Sequence, residues 1–371
     1  MLGPTDQENI MRARADLRLG IPILLVGNEN NAIIAPLEVL SQTRLDQLKS
    51  ISKNSFILIT AKRAQTLKCP IYDGNFVRLE LGLTPKIASL KAIADPSLDL
   101  KNPLKGPFKI IRGKSLKLET EALLLLKSAQ LLPAAVISPV ADGECYAQSQ
   151  NITCLQTGQV IQSALSSQSI SDAITAEVPT ARTQNSQFHI FRPNISGEEH
   201  YAVEIGKIDR NKPTLVRIHS ACFTGDVLGS LKCDCGPQLD AALKAINECG
   251  WGALLYLRQE GRGIGLHAKI QAYRLQDGGA DTLDANLKLG LPADARDYSI
   301  AAQMLQTIGV EKVALLTNNP DKVSQLEGYG VSIAERVPLI VGIGDENVGY
   351  LRTKGERMGH AIAQDDLSNP E

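Results

Sequence analysis

Short apolar runs alternate with longer amphipathic segments along most of this chain, and this alternation restricts the fold more than any other feature. In the first half, residues 21–26 and 56–60 have the composition of buried strands, whereas residues 37–51 carry apolar side chains at helical spacing. The second half repeats the pattern, with apolar strand candidates at 214–218 and 252–257. The sequence therefore predicts an α/β (α+β) protein in which mixed sheets are flanked by helices.

The chain is long enough to form two domains. Its 371 residues can fill two separate hydrophobic cores. Between residues 158 and 186 the composition shifts to Ser, Gln, Thr and Ala, which is typical of a linker or a loosely packed connection. We therefore expect one domain over residues 1–178 and a second over residues 179–371.

Charge and hydropathy exclude several classes of function. The formal net charge is −1, with 39 basic and 40 acidic residues, so no bulk field favours nucleic acid or an anionic membrane. No run of roughly 18 apolar residues is present, and the amino terminus lacks a basic segment followed by an apolar one. We expect a cytoplasmic protein with a small-molecule substrate, and local positive groups must hold any anionic ligand.

Three of the seven cysteines form the clearest chemical pattern. Cys222, Cys233 and Cys235 have the spacing Cys-x10-Cys-x-Cys within segments rich in Gly and Asp. Three thiolates on one Zn²⁺ would leave a tetrahedral position open for water, as in catalytic zinc sites. Two other interpretations remain: three unrelated buried cysteines, or a closed structural zinc whose fourth ligand is His219, Cys249 or an acid.

Two junctions between a strand and a loop resemble phosphate sites. The run Gly-Arg-Gly-Ile-Gly at 261–265 lets the backbone approach a ligand, and Arg262 supplies a guanidinium suited to phosphate. Lys322 follows Asn-Pro-Asp in the first turn of a predicted helix, where the helix dipole disfavours a cation and an anionic ligand would favour one. An ordinary tight turn and an ordinary helix start explain the same residues equally well.

Two further groups are candidates for catalysis. Asp294 is a potential general base with a guanidinium, Arg296, two residues later. The alternative is that Asp294 or Asp297 caps the helix that follows. Tyr273 lies in a predicted helix, where an aromatic side chain either packs in the core or extends its phenol into a site.

From about residue 180 to residue 362, the motifs occur in an order that resembles GTP cyclohydrolase II. They are Arg217-Ile-His-Ser, Cys222-Phe-Thr-Gly-Asp, Lys232-Cys-Asp-Cys-Gly-Pro-Gln, Arg258-Gln-Glu-Gly-Arg-Gly-Ile-Gly, Leu316-Thr-Asn-Asn-Pro, Arg336-Val-Pro-Leu and Met358-Gly-His. The resemblance implies hydrolysis of GTP to 2,5-diamino-6-ribosylamino-4(3H)-pyrimidinone 5′-phosphate, formate and pyrophosphate. This is the first step of riboflavin biosynthesis, and the family implies a homodimer.

The resemblance also assigns roles to the catalytic candidates. It implies that Cys222, Cys233 and Cys235 bind a catalytic Zn²⁺ whose water attacks C8 of guanine. Asp294 matches the proton acceptor of the family, and Tyr273 matches a tyrosine associated with loss of the formyl group. The family assigns the Arg296 position as a nucleophile toward the α-phosphorus, but a protonated guanidinium is better suited to stabilising the phosphoryl transition state.

The resemblance further implies a set of GTP contacts, together with Mg²⁺ to assist departure of pyrophosphate. The contacts fall on Arg217, Ile218, His219, Ser220, Ala221, Gln238, Glu260, Gly261, Arg262, Thr282, Thr317 and Lys322. Ala221 is a departure, because the family often has Glu at that position.

The first half resembles 3,4-dihydroxy-2-butanone-4-phosphate synthase, with the matching residues at 14–26, 83–96 and 120–127. The loop 27–34 has one carboxylate where that family has several, and Glu119 replaces a histidine that helps to bind metal. We therefore expect a degenerate domain without synthase activity. The alternatives are a bifunctional riboflavin enzyme and a non-catalytic GTP-binding homologue.

Overall fold

A computed structural model describes residues 2–27, 30–72, 74–113, 117–165, 169–183, 185–194, 198–363 and 365–368. The chain forms two compact units. The first comprises Met1–Ser166, His267–Ala280 and Asp284–Ala293, and the second comprises Ser167–Leu266, Asp281–Leu283 and Asp294–Glu371. Each unit contains a seven-stranded mixed sheet with flanking helices, which confirms the predicted fold class.

The first unit is built on a sheet in the order β5-β4-β3-β6-β2-β1-β7, in which only β1 and β7 run parallel. Its elements are α1 (Asp6–Arg18), β1 (Ile23–Val26), β2 (Asn31–Pro36), α2 (Gln42–Ile51), β3 (Phe56–Thr60), α3 (Ala61–Thr66), β4 (Phe76–Glu80), α4 (Ile87–Ala94), β5 (Ile110–Ile111), α5 (Lys117–Ser128), β6 (Ala134–Val140), α6 (Gly143–Gln150), β7 (Cys154–Gln156) and α7 (Gln159–Leu165). Neighbouring strand residues enter different apolar clusters: Ile23 and Leu25 belong to one, and Leu24 to the other. The central strands β1, β2, β3 and β6 are therefore buried on both faces for most of their length, which explains their continuous apolar composition.

Glu119, the residue expected to replace a metal-binding histidine, forms a buried ion pair. Arg78 Nε donates to Glu119 Oε1 at 2.8 Å, and both side chains are almost fully buried. The guanidinium also lies 5.1 Å from the centroid of the Phe76 ring. Glu119 therefore has a structural partner on β4. The single carboxylate of the 27–34 loop, Glu29, lies outside the described residues.

The second unit has the sheet order β14-β13-β11-β12-β10-β9-β8, and its first four strands in this order run parallel. The remaining elements of the chain are β8 (Ile170–Glu177), β9 (Ser186–Pro193), β10 (His200–Ile205), β11 (Thr214–Ser220), α8 (Cys235–Cys249), β12 (Gly252–Leu257), α9 (Gly265–Asp277), α10 (Thr282–Lys288), α11 (Ser299–Thr307), β13 (Lys312–Leu316), α12 (Pro320–Gly328), β14 (Ser332–Val337) and α13 (Val348–Met358). Among the described residues, no helix is long and apolar enough to cross a bilayer.

The linker interpretation of residues 158–186 was wrong for most of that stretch. Residues 159–165 form α7, and residues 170–177 form β8, which pairs antiparallel with β9 at the edge of the second sheet. Ile174 on β8 is 70% exposed. Residues 174–177 of this edge strand are all exposed, so the strand can have the polar composition of a linker, and composition alone misassigned it.

Strand order in the second sheet creates a crevice at one edge. The chain passes from β11 to β12 on one side of β11 and then returns to β13 on its other side. In sheets of this kind, ligands bind at the carboxyl ends of the parallel strands, where the strand order reverses. The segments after residues 220, 257 and 316, which contain many of the predicted site residues, all begin at that edge.

We predict that Glu119→Leu lowers the free energy of unfolding by about 3–5 kcal/mol, because it removes the carboxylate that faces a buried guanidinium. The double variant Arg78→Met/Glu119→Leu should be more stable than the single variant, because neither buried charge remains. Urea unfolding followed by circular dichroism measures both effects. Equal or greater destabilisation of the double variant would contradict the structural role of the pair.

Candidate metal centre and anion site

The three predicted metal-binding cysteines converge on one point. Cys222 follows β11, Cys233 lies just before α8, and Cys235 is the first residue of α8. Their sulfur atoms all lie within 4.8 Å of one another, and the Sγ atoms of Cys222 and Cys233 are 3.7 Å apart. Zn–S bonds of about 2.3 Å at tetrahedral angles place two sulfurs about 3.8 Å apart. The thiols therefore fit a single tetrahedral metal ion.

Gly225 allows this convergence. It lies in the short π-helical turn Phe223–Val227, directly against the thiols. A Cβ atom on Gly225 would lie 2.9 Å from Cys233 Sγ and 3.1 Å from Cys222 Sγ. No side chain fits at such distances, so this glycine is required for the two cysteine-bearing segments to meet.

Asp226 holds the turn in place. Its Oδ2 accepts hydrogen bonds from the backbone N–H of Cys222 at 2.9 Å and from the hydroxyl of Tyr256 at 2.8 Å. His219 Nε2 lies 3.0 Å from Asp226 Oδ1, and its ring stacks on Tyr256 with centroids 5.6 Å apart. A carboxylate that orients a ligand-bearing backbone in this way is typical of the surroundings of metal sites.

Neither residue proposed as a fourth zinc ligand joins the thiols. His219 faces Asp226, and Cys249 lies exposed at the far end of α8. Within the described ranges, the three cysteines are the only group of His, Cys, Asp or Glu side chains that meets the distances of a metal site. The fourth position of a bound tetrahedral ion would therefore have no protein ligand of these types.

The surroundings of the cluster disfavour ionisation of two of its thiols. Contact with Cys222 raises the pKa of Cys233 and of Cys235, and burial raises both further. A divalent cation reverses this preference, because it binds thiolates and displaces their protons. The cluster is thus suited to a metal rather than to a free reactive thiol.

Two buried cations lie where β11 and β13 separate. The pairing of these strands ends at Val216 and Leu315. Beyond that point Arg217 Nη1 donates to the Leu316 carbonyl at 2.9 Å, and Lys322 Nζ donates to the Ile218 carbonyl at 3.0 Å. Side chains therefore take over the hydrogen bonds that strand pairing no longer provides, and they bring positive charge to the crevice.

Both of these cations are costly to bury. Burial and the charges of Arg217 and Arg296 lower the pKa of Lys322 well below its ordinary value. Burial also lowers the pKa of Arg217. Carbonyl oxygens are weak partners for a full positive charge, whereas an anion in the crevice would stabilise both groups.

The loop after β12 carries a further cation, Arg262, at the same edge of the sheet. Gly261 and Arg262 have left-handed φ angles of 62° and 63°. Such a φ is unusual for an arginine, and strained residues of this kind concentrate at ligand sites. Ala295 N donates to the Arg262 carbonyl at 2.9 Å, so this loop packs against the segment that carries Asp294 and Arg296.

Asp294 pairs with Arg296 rather than capping a helix. Its Oδ1 accepts from the backbone N–H of Arg296 at 3.0 Å and from Arg296 Nε at 2.9 Å. The N-cap residue of α11 is Tyr298, and Asp297 just before it accepts a hydrogen bond from Ser299 N at 2.8 Å. Burial alone would raise the pKa of Asp294, but the hydrogen bonds and charge of Arg296 hold it below its ordinary value. Asp294 is therefore an ionised carboxylate close to a guanidinium.

Several other predicted residues connect the strand ends. Gln238 accepts from Arg217 Nη2 at 2.5 Å and donates to Asp234 Oδ2 at 2.5 Å. Glu260 accepts from Phe223 N at 2.6 Å, which joins the loop after β12 to the cysteine turn. Polar side chains thus link the metal-binding segment to the cations.

Some predicted contacts come from the backbone or from a small side chain. Ala221 N donates to the Leu257 carbonyl at 2.7 Å, and the hydroxyl of Ser220 is buried without a hydrogen-bond partner. Thr317 Oγ1 accepts from Asn319 N at 3.1 Å at the end of β13. Thr282 begins α10 within the Asp281–Leu283 segment of the second unit.

Tyr273 lies on α9 in the segment His267–Ala280, which belongs to the first compact unit. Its ring contacts Lys269, whose Nζ lies 5.8 Å from the ring centroid. Its assignment to the catalytic group stays a prediction.

Sequence reasoning missed two residues beside the cluster. Asp234, between two of the cysteines, is 2% exposed and accepts hydrogen bonds from Lys354 Nζ at 2.7 and 3.0 Å. The only sequence signal for Asp234 was its place in Cys-Asp-Cys. Lys354 is 120 positions further along the chain, and no local pattern marks it.

The fold and the site together define an α/β protein with a cluster of three cysteines that could hold a metal ion at the carboxyl edge of its parallel strands. The family model described as GTP cyclohydrolase II matches residues 171–338. A GTP cyclohydrolase-2 from Azospirillum brasilense is 39% identical over 309 residues, which cover 82% of this chain and 80% of that protein. The chain belongs to the GTP cyclohydrolase II family.

Other relatives match about half of the chain. A GTP cyclohydrolase-2 from Acinetobacter baumannii is 52% identical over 194 residues, 52% of this chain and 96% of that protein. The riboflavin biosynthesis protein RibBA of Nocardia farcinica is 58% identical over 171 residues, and the match covers 46% of this chain and only 41% of that protein. The crystal structure of RibBX, a two domain 3,4-dihydroxy-2-butanone 4-phosphate synthase from A. baumannii, is 16% identical and covers 88% of this chain and 99% of that one. Its TM-score is 0.33.

We predict that Gly225→Ala reduces the zinc content of the purified protein at least about 10-fold, a loss typical of disturbed metal surroundings. The added methyl group would push the thiols of Cys222 and Cys233 apart. Gly328→Ala is the control, because a Cβ there meets nothing within 4 Å and its φ is not left-handed. Elemental analysis measures the metal, and equal zinc content in the two variants would contradict the packing argument.

Proposed function

We propose that this chain hydrolyses GTP to formate, pyrophosphate and the diaminopyrimidine product, as its family membership indicates. The observation that carries the proposal is the position of the three-cysteine cluster beside buried cations, at the carboxyl edge of the parallel strands. The cluster supplies a metal site, and the cations supply a place for phosphates. Hydrolysis at a purine ring with release of pyrophosphate needs both.

Zinc is the proposed metal. Three closely spaced thiols form a soft ligand set that favours Zn²⁺ over Mg²⁺, which prefers oxygen ligands. When bound, zinc would lower the pKa of a water in the open fourth position and so supply the nucleophile for attack on C8. The residues themselves hold the geometry: Gly225 lets the thiols approach, and Asp226 fixes the backbone of Cys222.

The triphosphate is proposed to bind at the separation of β11 and β13. Arg217 and Lys322 donate there to carbonyl oxygens, and phosphate oxygens are stronger acceptors for the same groups. Arg262 would add a guanidinium from the loop after β12. Mg²⁺ is proposed to accompany the pyrophosphate, because the phosphate oxygens are hard ligands.

Asp294 and Arg296 are proposed to act in the phosphoryl step and in proton transfer. Asp294 is ionised, so it can accept a proton or orient a water. The pairing with Asp294 raises the pKa of Arg296, although burial opposes this, so the guanidinium stays charged. Arg296 therefore serves as an electrostatic stabiliser of the phosphoryl group rather than as a nucleophile. Tyr273 is proposed to assist loss of the formyl group.

The domain over residues 1–178 is proposed to lack synthase activity, and residues 179–371 are proposed to carry the GTP chemistry. The buried Arg78–Glu119 pair supports the first statement, because Glu119 is engaged in the core and does not replace a metal-binding histidine. A homodimer and a cytoplasmic location stay predictions. A bifunctional enzyme is the alternative that an assay with ribulose 5-phosphate and Mg²⁺ tests, and formate release from that substrate would establish it.

The direct test supplies GTP and Mg²⁺ to the zinc-loaded protein and follows formate, pyrophosphate and the pyrimidine by chromatography. We expect all three products from the natural chain. Cys233→Ser should abolish ring opening and lower zinc content, because it removes one of three thiolates. Cys249→Ser is the matched control and should retain activity, since Cys249 is exposed and outside the cluster. Absence of both formate and pyrophosphate would refute the function, and would favour a non-catalytic GTP-binding homologue.

A second prediction concerns the phosphates. Lys322→Met should lower kcat/KM for GTP about 10- to 100-fold, the effect of losing one charged hydrogen bond. Lys312→Met is its control, because it removes the same charge from an exposed position on β13. Steady-state kinetics measure both variants. Equal values of kcat/KM for the two would contradict a phosphate contact at Lys322.

A further inference from the structure

The helix α13 lies beyond residue 338, where the match to the family model ends. It nevertheless contacts the segments that build the site. Lys354 reaches Asp234 beside the cysteines, Tyr350 and Met358 reach Arg262, and the turn after the helix reaches the end of β13. The helix therefore lies where the strand-end loops meet.

The contact with the metal-binding segment is the most deeply buried. Lys354 Nζ donates to both oxygens of Asp234, at 2.7 and 3.0 Å, and both side chains are largely excluded from solvent. Asp234 lies directly between Cys233 and Cys235, so its backbone is continuous with that of both ligands. The orientation of this carboxylate fixes the path of the chain between two of the three thiols.

The charge of Lys354 matters as much as its geometry. Three thiolates on a divalent cation carry a net negative charge, and the Asp234 carboxylate adds another beside them. A buried charge without a partner costs several kcal/mol, so an unpaired Asp234 would turn toward water or draw water into the cluster. Lys354 offsets this charge from a position outside the cysteine motif.

The other contacts of α13 keep Lys354 in place. Arg262 Nη2 donates to Tyr350 Oη at 3.2 Å, and Lys354 Nζ lies 4.5 Å from the centroid of the Tyr350 ring. Ala361 N donates to the Asn318 carbonyl at 2.7 Å after the helix ends. These contacts hold both ends of α13 against the site and limit the freedom of the lysine between them.

We propose that Lys354 is a positioning residue for the metal site, which it orders through its buried ion pair with Asp234. This inference rests on the proposed metal-binding function of the three cysteines. It predicts that the affinity and geometry of the bound metal depend on a helix that follows residues 171–338, the range matched by the family model. A role in packing alone would predict effects on stability without a change at the metal.

The test compares Lys354→Met with Arg352→Met, which removes the same charge from an exposed position on the same helix. Zinc affinity is measured by competition with a chelator. Metal geometry is measured in the Co²⁺-substituted protein from the intensity and position of the d–d absorption bands. We expect Lys354→Met to weaken metal binding about 10- to 100-fold and to alter the Co²⁺ spectrum. Arg352→Met should change neither.

Asp234→Asn keeps the shape of the side chain and removes its charge, so it tests the pair even if Lys354→Met fails to fold. Asp234→Asn should also weaken metal binding. In a protein that already carries Asp234→Asn, adding Lys354→Met should lower the metal affinity little further. Independent, additive effects would overturn the proposal, and so would a Co²⁺ spectrum shared by Lys354→Met and Arg352→Met.

Measurements of GTP turnover distinguish the proposed role of Lys354 from the proposed function of the whole chain. If the natural chain binds metal and does not turn over GTP, the proposed function fails while the spectra still decide the role of Lys354. If the natural chain binds no metal, both fail. With an active protein, Lys354→Met should lower kcat more than it raises KM, because the ion pair orders the metal rather than the phosphates.

Discussion

The close approach of Gly225 to the side chains of the three cysteines is the contact on which the site depends. Cys222 comes from the end of a strand, and Cys233 and Cys235 come from the start of the next helix, so only a tight turn can bring them together. The turn is held from outside by Asp226, which accepts hydrogen bonds from the chain at Cys222 and from Tyr256 on the neighbouring strand. The parallel sheet therefore fixes the metal site through its strand ends.

Charge is distributed around the site in two different ways. Lys354 is matched by a full carboxylate, which makes a permanent buried pair. Arg217 and Lys322 are matched by carbonyl oxygens, which are partial partners that an anion can replace. A chain with almost no net charge can thus hold a polyanion, because buried basic side chains gather where β11 and β13 separate.

Sequence predicted the parts of the site that follow strand ends in short motifs. The three cysteines, Arg217 and Arg262 belong to local patterns, and the parallel strands bring those patterns to one edge. The role of Asp294 could not be predicted from sequence, because Asp294 and Asp297 are both suitable residues for the start of a helix. Only their hydrogen bonds distinguish them. The strand at 170–177 was missed because an edge strand with a solvated face has the composition of a linker. Lys354 was missed because its partner is remote in sequence.

Zinc K-edge X-ray absorption of the purified, zinc-loaded protein tests the central claim most directly, since it counts the atoms bound to the metal. We predict three sulfur atoms at about 2.3 Å and one oxygen, because three thiols converge and no further His, Cys, Asp or Glu side chain of the described residues joins them. Four sulfur atoms, or three sulfurs with an imidazole nitrogen, would indicate a closed structural site. Either result would contradict a catalytic zinc at the carboxyl edge of this sheet.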